Sequence, residues 1–487
     1  MKVDLSQESE TRAGLVINGV TVETENWTAV HDPSEPDTVV GFAAEATVDD
    51  TRAAIAAADA AFTSWAATPV GERVATVLGA LDGLAGHEAQ LSRLLVRENG
   101  KIAQEAAIDL AVFGARFRAA CELGAELTSP LHLPGPPFRS EIHRLPVGVV
   151  SVIVPFNWPL AILAASLPYV LVAGNTTIVK PPPTAPLAVV RTLEILAARL
   201  PAGVLNVVTG TNANVEPLIT DPRVQHVVFT GSTAAGKHIM KLAAESLTKV
   251  TLELGGNDPA IVLDDAELDA ATLADLVGAC FLTTGQVCMS VKRIYVARQR
   301  LDELADGMGR VLGSSLVGNG NDPAVGMGPL NSAAQRARVG RMLEQAALAG
   351  ADVREFGSFT EQAEQSTGHY LLPSLVLDPA EDLDIVTQEQ FGPTVPVLPF
   401  DDLDGLVTRL NGEWSGLCSS VWTADEERGG DIARRLRTGT TWVNQANAGA
   451  CDDRAPFGGF RQSGIGREMG TDGLLDFTEP HTVTFRA

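Results

Sequence analysis

Short apolar runs rich in β-branched residues alternate with helix-like segments through the middle of the chain. The runs predict strands over five ranges: 148–154, 176–180, 204–208, 224–230 and 250–254. The segments between them predict helices over three ranges: 159–172, 185–200 and 232–245. Strand, helix and strand in this succession is typical of a parallel sheet with helices on its faces. A second alternating block, from about 260 to 445, predicts the same arrangement again, so the fold class is α/β.

The first ~145 residues are predicted to be mainly helical. Thr47 and Asp50 have the spacing of a capping box, which opens an alanine-rich stretch that extends to residue 67. Two further helices are predicted over roughly 71–98 and 101–125. The prolines and glycine of "LTSPLHLPGPPF" then end the helical pattern before the first predicted strand of the sheet.

The composition narrows the class of protein. A chain of 487 residues is too long for one simple core, so two or three domains are expected. The net charge of -24 argues against binding to a nucleic-acid backbone. No apolar run approaches the ~18 residues of a membrane span, and "MKVDLSQESETRAG" lacks the apolar core of a secretory signal. We therefore expect a cytoplasmic protein with no nucleic-acid or membrane partner.

The cysteines are candidates for disulfide, metal-binding, packing or nucleophilic roles. There are five, at positions 121, 280, 288, 418 and 451. Their odd number and wide spacing argue against a disulfide framework and favour a reducing compartment. No H-E-x-x-H or zinc-finger spacing is present, so no metal site is expected. Cys280 lies on a predicted helix and is interpreted as packing. Cys288, within "TTGQVCMS", can be an apolar filler, half of a disulfide, a metal ligand or a nucleophile.

Residues just after the predicted strands are the candidates for binding, because ligands of such sheets lie beyond the carboxyl ends of the strands. Asn157, within "PFNWP", is either an oxyanion donor or a polar turn. Lys180 can reach a phosphate or a ribose hydroxyl, or it is a solvated strand end. In "GSTAAGK", Gly231 permits close approach of the backbone, and the amides of the following helical turn attract a phosphate. His238 stands where a P-loop needs Ser or Thr, so the motif favours a dinucleotide over a nucleoside triphosphate.

An acid and a thiol follow the last strands of this block. Glu253 lies at the end of a strand that is predicted to be buried. A carboxylate in that place either forms a structural salt bridge or has a function. Cys288 follows after the next predicted helix. Together Asn157, Glu253 and Cys288 suit acyl chemistry, in which a thiolate attacks a carbonyl, an amide holds the oxyanion and a carboxylate activates a water.

Seven stretches, taken together, resemble the NAD(P)-dependent aldehyde dehydrogenase superfamily, and the likeness extends from about residue 17 to the end. They are "PFNWP", "KPPPTAP", "FTGSTAAGK", "LELGGNDP", "GQVC", "EQFGP" and "PFGGFRQSGIGRE". The resemblance implies three domains: a Rossmann-type dinucleotide-binding domain (1–127 and 147–254), an α/β catalytic domain (255–455) and a small β oligomerisation extension (128–146 and 472–487). "FRSEIHRLPVG" and "HTVTF" would form the extension, and a homodimer or homotetramer is expected.

The resemblance also implies a role for each candidate residue. Cys288 resembles the nucleophile that forms a thiohemiacetal and then a thioester, Asn157 with the Cys288 amide looks like the oxyanion site, and Glu253 looks like the base for the hydrolytic water. The implied cofactor-binding residues are Phe156, Lys180 (adenosine ribose), Gly231, Ser232 (pyrophosphate), Leu254, Glu389 and Phe391 (nicotinamide ribose and ring). The residues that resemble the substrate tunnel are Ile162, Ala165, Val287, Met289 and Phe457.

Some positions depart from the family pattern. Many NAD-linked members carry a glutamate where this chain has Pro183, which leaves NAD and NADP both open with NAD slightly favoured. Thr284 stands where asparagine is frequent. The tunnel positions are apolar or small, which suits an uncharged or aromatic aldehyde. Arg454 either binds an acid group of the substrate at the tunnel mouth or pairs with the neighbouring Asp452 and Asp453.

Three functions remain open from the sequence. The favoured one is oxidation of an aldehyde to the free acid with NAD(P)+. A CoA-acylating enzyme is the nearest alternative, although Glu253 argues against it because acylating relatives commonly lack that base. The third is a non-catalytic member of the family that acts as a binding protein.

Overall fold

The computed structural model describes residues 11–486, which form two large sheets, three small ones and the helices that cover them. The strands are β1 (Thr11–Ala13), β2 (Leu15–Ile17), β3 (Val20–Val22), β4 (Trp27–Asp32), β5 (Glu35–Ala44), β6 (Leu131–Leu133), β7 (Phe138–Pro146), β8 (Val149–Ile153), β9 (Thr176–Lys180), β10 (Leu205–Val207), β11 (Val224–Gly231), β12 (Lys249–Leu254), β13 (Pro259–Val262), β14 (Arg293–Ala297), β15 (Leu316–Val317), β16 (Asp352–Glu355), β17 (Ser358–Phe359), β18 (Ser374–Leu377), β19 (Thr394–Phe400), β20 (Cys418–Trp422), β21 (Thr440–Val443), β22 (Gly464–Ile465) and β23 (Thr478–Arg486). The helices are α1 (Val48–Ala67), α2 (Val70–Leu81), α3 (Glu88–Asn99), α4 (Ala103–Glu122), α5 (Pro159–Ala173), α6 (Leu187–Ala197), α7 (Asn212–Val215), α8 (Pro217–Thr220), α9 (Thr233–Ala243), α10 (Ala270–Phe281), α11 (Leu301–Leu312), α12 (Ala333–Leu348), α13 (Glu361–Gln365), α14 (Asp384–Thr387), α15 (Leu403–Gly412), α16 (Glu426–Ala433) and α17 (Gly470–Asp476).

The first large sheet contains the five strands predicted from the apolar runs. Its order is β22-β12-β11-β8-β9-β10-β2-β3, and β12, β11, β8, β9 and β10 run parallel. From β8 the chain adds β9 and β10 on one side and then β11 and β12 on the other. The order therefore reverses between β8 and β11, and in open α/β sheets ligands bind at the carboxyl ends of strands at such a switch point.

The second large sheet comes from the predicted second block. Its order is β16-β18-β19-β14-β13-β20-β21, and all neighbours are parallel except β16 with β18. The strands have buried apolar side chains on both faces, as parallel sheets between helices do. The division of the chain into three domains at the predicted boundaries stays a prediction.

The predicted β extension forms a separate antiparallel sheet, β23-β7-β6. The two segments expected to form the extension lie on β7 and β23, which pair along their whole length, with His143 opposite His481 and Arg139 opposite Phe485. Their role in oligomerisation stays a prediction. Residue 487, which the predicted extension includes, lies outside the described residues.

The prediction that the first ~145 residues are mainly helical is wrong for residues 11–44, which form β1 to β5. Asn18 and Gly19 have φ of 54° and 76° and join β2 to β3, as Asn-Gly does in two-residue hairpin turns. The predicted helix over 71–98 is two helices, α2 and α3, separated by a 3-10 turn and by Gly86 with φ of 87°. The capping box is confirmed, because Thr47 and Asp50 exchange side-chain to backbone hydrogen bonds of 3.1 and 2.9 Å.

A buried ion pair fixes the start of α5, the helix that follows Asn157. Lys101 and Asp109 have fully buried side chains, and the Lys101 Nζ donates to Asp109 Oδ2 at 2.8 Å. The other oxygen, Oδ1, accepts the backbone N–H of Ala161 at 2.7 Å. Lys101 Nζ also lies 4.3 Å from the centroid of the Trp158 ring. The segment that carries Asn157 is thus attached to α4 on the side of the helix that faces the core.

Within residues 11–486, none of the helices has both the length and the apolar character that a bilayer span requires. The cytoplasmic location and the absence of a nucleic-acid partner stay predictions.

Candidate active site

A cavity of about 470 Å³ lies at the carboxyl ends of β8, β11 and β12. Asn157, Glu253 and Cys288 all line it. These three side chains come from separate segments of the chain, and the structure brings them together as the strand ends predict. The other predicted site residues that line this first cavity are Phe156, Ile162, Ala165, Gly231, Ser232, Leu254, Met289, Glu389, Phe391 and Phe457.

A second cavity, of about 510 Å³, lies on the other side of the thiol. The two cavities share five lining residues: Arg116, Asn157, Ile162, Cys288 and Met289. Val287 lines only the second cavity, whereas Ala165 and Phe457 line only the first. The five residues predicted to line one tunnel are therefore divided between two cavities that meet at Cys288.

A strained turn presents the thiol. Thr283 and Thr284 have left-handed backbones with φ of 52° and 57°, and Gly285 follows with φ of 71°. Non-glycine residues in this region cost about 1–3 kcal/mol each. Hydrogen bonds hold the turn: Thr283 N donates to Glu105 Oε1 at 2.6 Å, and Thr284 Oγ1 donates to the Gly328 carbonyl at 2.9 Å. The left-handed conformation suits the asparagine that is frequent at the position of Thr284, because asparagine tolerates it better.

Burial controls the acidity of the thiol. Cys288 is half-buried, and desolvation raises its pKa to about 12. The Lys292 ammonium opposes this rise, whereas the carboxylates of Glu389, Asp258 and Glu253 add to it. A thiol in these surroundings is protonated near neutral pH, so attack on a carbonyl requires that its proton be transferred to a base.

Lys292 is a buried cation near the thiol that the sequence analysis did not single out. It is only 2% exposed, and its Nζ donates to the carbonyl of Val287 and to Ser290 Oγ, which flank the thiol in the chain. The same ammonium lies 5.5 Å from the centroid of the Phe391 ring. Lys292 therefore stabilises the turn that carries Cys288 through two hydrogen bonds, and it places a positive charge near the Cys288 sulfur.

Two buried acids, Glu253 and Glu468, line the first cavity. Glu253 is 4% exposed, and neither of its carboxyl oxygens has a hydrogen-bond partner among residues 11–486. Burial raises the pKa of Glu253 well above its usual value, and the neighbouring Glu468 raises it further. Burial also raises the pKa of Glu468, to about 7. Glu468 ends the stretch "PFGGFRQSGIGRE", and its place in that motif was the available signal for a second acid.

Donors for an oxyanion are present at the thiol. Asn157 is 2% exposed, and no described residue hydrogen-bonds its side-chain amide. A hydrogen bond to the preceding residue positions the backbone of Asn157: Asn99 Nδ2 donates to the Phe156 carbonyl at 2.5 Å. An amide donor that is buried, held and without a partner is available to an oxygen that develops negative charge beside Cys288.

The residues of the first cavity fit the nicotinamide half of a dinucleotide. Glu389 Oε1 is buried without a partner among the described residues, as a carboxylate that awaits a hydroxyl would be. A Cβ at Gly255 would overlap Glu389 Oε2, so only glycine leaves the carboxylate in this place. The rings of Phe156 and Phe391 meet edge to face, with centroids 6.1 Å apart. Both rings line the first cavity and offer apolar contact to a flat ring.

The residues expected to bind the other half of a dinucleotide lie at the start of α9 and at the end of β9. Ser232 caps α9 by accepting the Ala235 N–H at 3.3 Å, and the remaining amides of that first turn point toward the cavity end of β11. A Cβ at Gly236 would overlap the Leu254 side chain, so the glycine permits close packing of α9 on β12. Lys180 lines neither cavity; it is 7% exposed, and no ion pair or hydrogen bond within residues 11–486 involves its ammonium.

The remaining residues considered in the sequence analysis line neither cavity. Arg454 has an 89% exposed side chain, makes two hydrogen bonds of 2.8 Å to Asp452, and lines neither cavity. Asp453 pairs instead with Arg116, a cavity residue that the sequence analysis missed. Cys280 lies on α10 and packs in the core, as predicted. Pro183 is exposed and supplies no carboxylate.

The comparisons with known proteins agree with one another. A sequence model of the aldehyde dehydrogenase family matches residues 20–483. The chain is 33% identical to phenylacetaldehyde dehydrogenase of Pseudomonas fluorescens, over 96% of this chain and 95% of that one. The structure of betaine aldehyde dehydrogenase from Staphylococcus aureus in complex with NAD+ superposes with a TM-score of 0.91, at 29% identity, over 97% of this chain and 96% of that one. An E. coli NADP dependent enzyme superposes with a TM-score of 0.92, at 29% identity, over 98% of each chain.

We predict that Lys292→Met slows alkylation of Cys288 by iodoacetamide at fixed pH. Loss of the ammonium raises the pKa of the thiol further, and each unit by which it rises reduces the thiolate, and hence the rate, about tenfold. The measurement is the alkylation rate of the cofactor-free protein, with Cys288 identified by mass spectrometry.

Lys292→Arg, which keeps the positive charge, is expected to restore most of the rate. Lys241→Met removes an exposed lysine from α9 and serves as the control for loss of charge alone. Equal rates in the Met variant and the native protein, or an Arg variant as slow as the Met variant at an unchanged melting temperature, would show that the charge does not act on the thiol.

Proposed function

Because the chain belongs to the aldehyde dehydrogenase family, whose members oxidise aldehydes with NAD(P)+, we propose that it converts an aldehyde to the free carboxylic acid through a covalent intermediate on Cys288. The observation that carries the proposal is the single cavity lined by Cys288, Asn157 and Glu253. These residues supply a nucleophile, an oxyanion donor and a base within one site, which is the set that acyl chemistry needs.

The first step forms a bond between sulfur and carbon. Cys288 loses its proton to a carboxylate of the cavity, and its sulfur attacks the aldehyde carbon. The carbonyl oxygen becomes the oxyanion of a thiohemiacetal, which accepts hydrogen bonds from the Asn157 side-chain amide and the Cys288 backbone amide. Since both donors are held in place before the reaction, little reorganisation is needed as charge develops.

The second step removes a hydride from that carbon. The residues that would hold NAD(P)+ are Glu389 and Lys180 at its riboses and the first turn of α9 at its pyrophosphate, and the bound cofactor would supply the hydride acceptor. The oxyanion collapses to a carbonyl, which leaves a thioester on Cys288. Both NAD and NADP stay open, with NAD proposed as the preferred cofactor.

The third step releases the product. Glu253 accepts a proton from a water molecule, whose oxygen attacks the thioester carbon and expels the Cys288 sulfur. A base with a raised pKa suits this step, since a carboxylate with a low pKa takes a proton from water less readily. The raised pKa of Glu253 follows from burial and from Glu468 beside it.

Cys288→Ala tests the nucleophile. We expect loss of aldehyde oxidation by at least about 1,000-fold, because no covalent intermediate forms, with retained binding of NAD(P)+ measured by calorimetry. Cys121→Ala is the matched control, since it also removes a buried thiol, but one in the core at the end of α4. A Cys288→Ala protein that keeps most of its activity would exclude the proposed mechanism.

Glu253→Gln tests the base. We expect a burst of NAD(P)H equal to the enzyme concentration, followed by turnover slowed about 100-fold or more, because acylation precedes the step that needs the base. In the native enzyme the hydrolysis rate is expected to fall as pH drops below the raised pKa of Glu253, since the protonated acid cannot accept a proton. Stopped-flow traces across pH measure both effects. Equal slowing of the burst and of the steady state would contradict the assigned role.

We also propose that the chain forms a homo-oligomer through the sheet of β6, β7 and β23. This sheet carries exposed large apolar side chains: Leu131, Leu133, Phe138, Leu145 and Phe485. The strand register places Leu131, Leu133 and Phe138 on one face of the sheet and Leu145 and Phe485 on the other. Exposed large apolar side chains on a folded protein favour an interaction site, and a second copy is the commonest partner. We expect Leu131→Asp with Phe138→Asp to lower the mass measured by light scattering, whereas Leu348→Asp, at an exposed leucine of α12, does not. A native protein of monomeric mass would refute the proposal.

A further inference from the structure

The second cavity has walls built mainly from small residues. α10 and the segment after β21 contribute residues whose side chain is no larger than a methyl group: Ala274, Gly278, Ala279, Ala446, Ala448, Gly449 and Ala450. The same segments also contribute Asp275, Gln445 and Asn447. The cavity of about 510 Å³ is consequently in the range that holds an organic ligand of substantial size.

The polar groups of the cavity do not provide a free positive charge. Arg116 lines it, but its guanidinium donates to Asp453 Oδ1 at 3.0 Å and to the Ala161 carbonyl at 2.8 Å. Asp275 lies on the exposed face of α10 and adds a negative charge to the lining. An aldehyde with a second carboxylate would therefore meet a cation that is already neutralised and an acid that repels it.

A cationic aldehyde is not favoured either. Quaternary ammonium groups are recognised by several aromatic faces. Trp158 is the one aromatic residue that lines the second cavity in the described part of the chain, and the Lys101 ammonium lies over its ring at 4.3 Å. Asp275 is exposed, and an ion pair with an exposed acid contributes little.

Gly278 is the position at which a substitution can most directly reduce the volume of this cavity. It lies within α10, and a Cβ built on it meets no atom within 4 Å. Its backbone is helical, so any L-residue except proline can replace it without backbone strain. A larger side chain at this position would grow into the open space and not into packed neighbours.

We propose, on the basis of the proposed function, that the second cavity holds the organic group of a bulky, uncharged, apolar aldehyde, and that Gly278 determines this specificity. The aldehyde group lies at Cys288, where the cavities meet, and the remainder of the substrate extends between α5 and α10. Binding of the apolar group removes its surface from water, and this free energy is available to the transition state of the reaction.

The test compares kcat/KM for phenylacetaldehyde and for acetaldehyde, which differ by the phenyl ring alone. We expect the native enzyme to favour phenylacetaldehyde on the order of 100-fold. In the series Gly278→Ala, Gly278→Val and Gly278→Leu, the ratio is expected to fall stepwise, by about tenfold or more at leucine. Gly79→Leu is the control, because Gly79 is also an exposed helical glycine whose Cβ would meet no atom, but it lies on α2 away from both cavities.

The outcomes distinguish failure of the specificity assigned to Gly278 from failure of the proposed function. Oxidation of both aldehydes with a ratio near one, or a ratio that changes no more in the Gly278 series than in Gly79→Leu, overturns this inference and leaves the proposed function standing. Faster oxidation of betaine aldehyde or of succinic semialdehyde than of phenylacetaldehyde also overturns it. If no aldehyde gives NADH or NADPH and free acid, the proposed function itself is wrong. The melting temperature of each variant shows that it is folded, and the graded series keeps the test valid should Gly278→Leu not fold.

Discussion

The reactivity of Cys288 depends on the charges buried around it. Desolvation raises the pKa of the thiol, and the same burial raises the pKa values of Glu253, Glu389 and Asp258, that of Asp258 to about 8. An ionised carboxylate near the sulfur destabilises the thiolate, whereas a neutral one does not, so the proton states of these groups depend on each other. Lys292 offsets part of the negative charge from the segment just after the nucleophile. The thiol therefore becomes a nucleophile when a carboxylate of the cavity accepts its proton, and the raised pKa values of these carboxyl groups suit them to accept it.

The fold provides this arrangement at a cost in local strain. The switch in strand order between β8 and β11 opens the crevice, and the loop after α10 must then bring Cys288 into it. That loop has consecutive left-handed residues at Thr283 and Thr284, which persist because Glu105 and Gly328 bind them from other segments. Strain of this kind is retained where surrounding structure determines the backbone more strongly than local preference does. The position of the thiol is therefore a property of the whole fold and not of its own loop.

Much of this could be predicted from the sequence, and the failures have physical causes. The parallel strands were predictable because they are buried on both faces and read as continuous apolar runs. The strands in 11–44 are short and partly exposed, so their apolar pattern is weak, and the Asn18–Gly19 turn was the signal for them. Asn157, Glu253 and Cys288 were found because each follows a recognisable strand or helix. Lys292 could not be found in this way, because it directly precedes β14 and follows no predicted strand. Only the folded chain directs its ammonium back toward the Val287 carbonyl.

The two cavities divide the work of the site between different parts of the chain. The acids Glu253, Glu389 and Glu468 line only the first cavity, whereas small residues of α10 and the segment after β21 line only the second. Cys288 lies where they meet, so a substrate can extend into the second cavity without disturbing the acids around the sulfur. Changes in the size of these small residues then alter which aldehyde binds, and they leave the pKa values of Cys288 and Glu253 governed by the first cavity. This separation gives a physical reason why one catalytic arrangement can accept aldehydes of different size and charge in different members of a family.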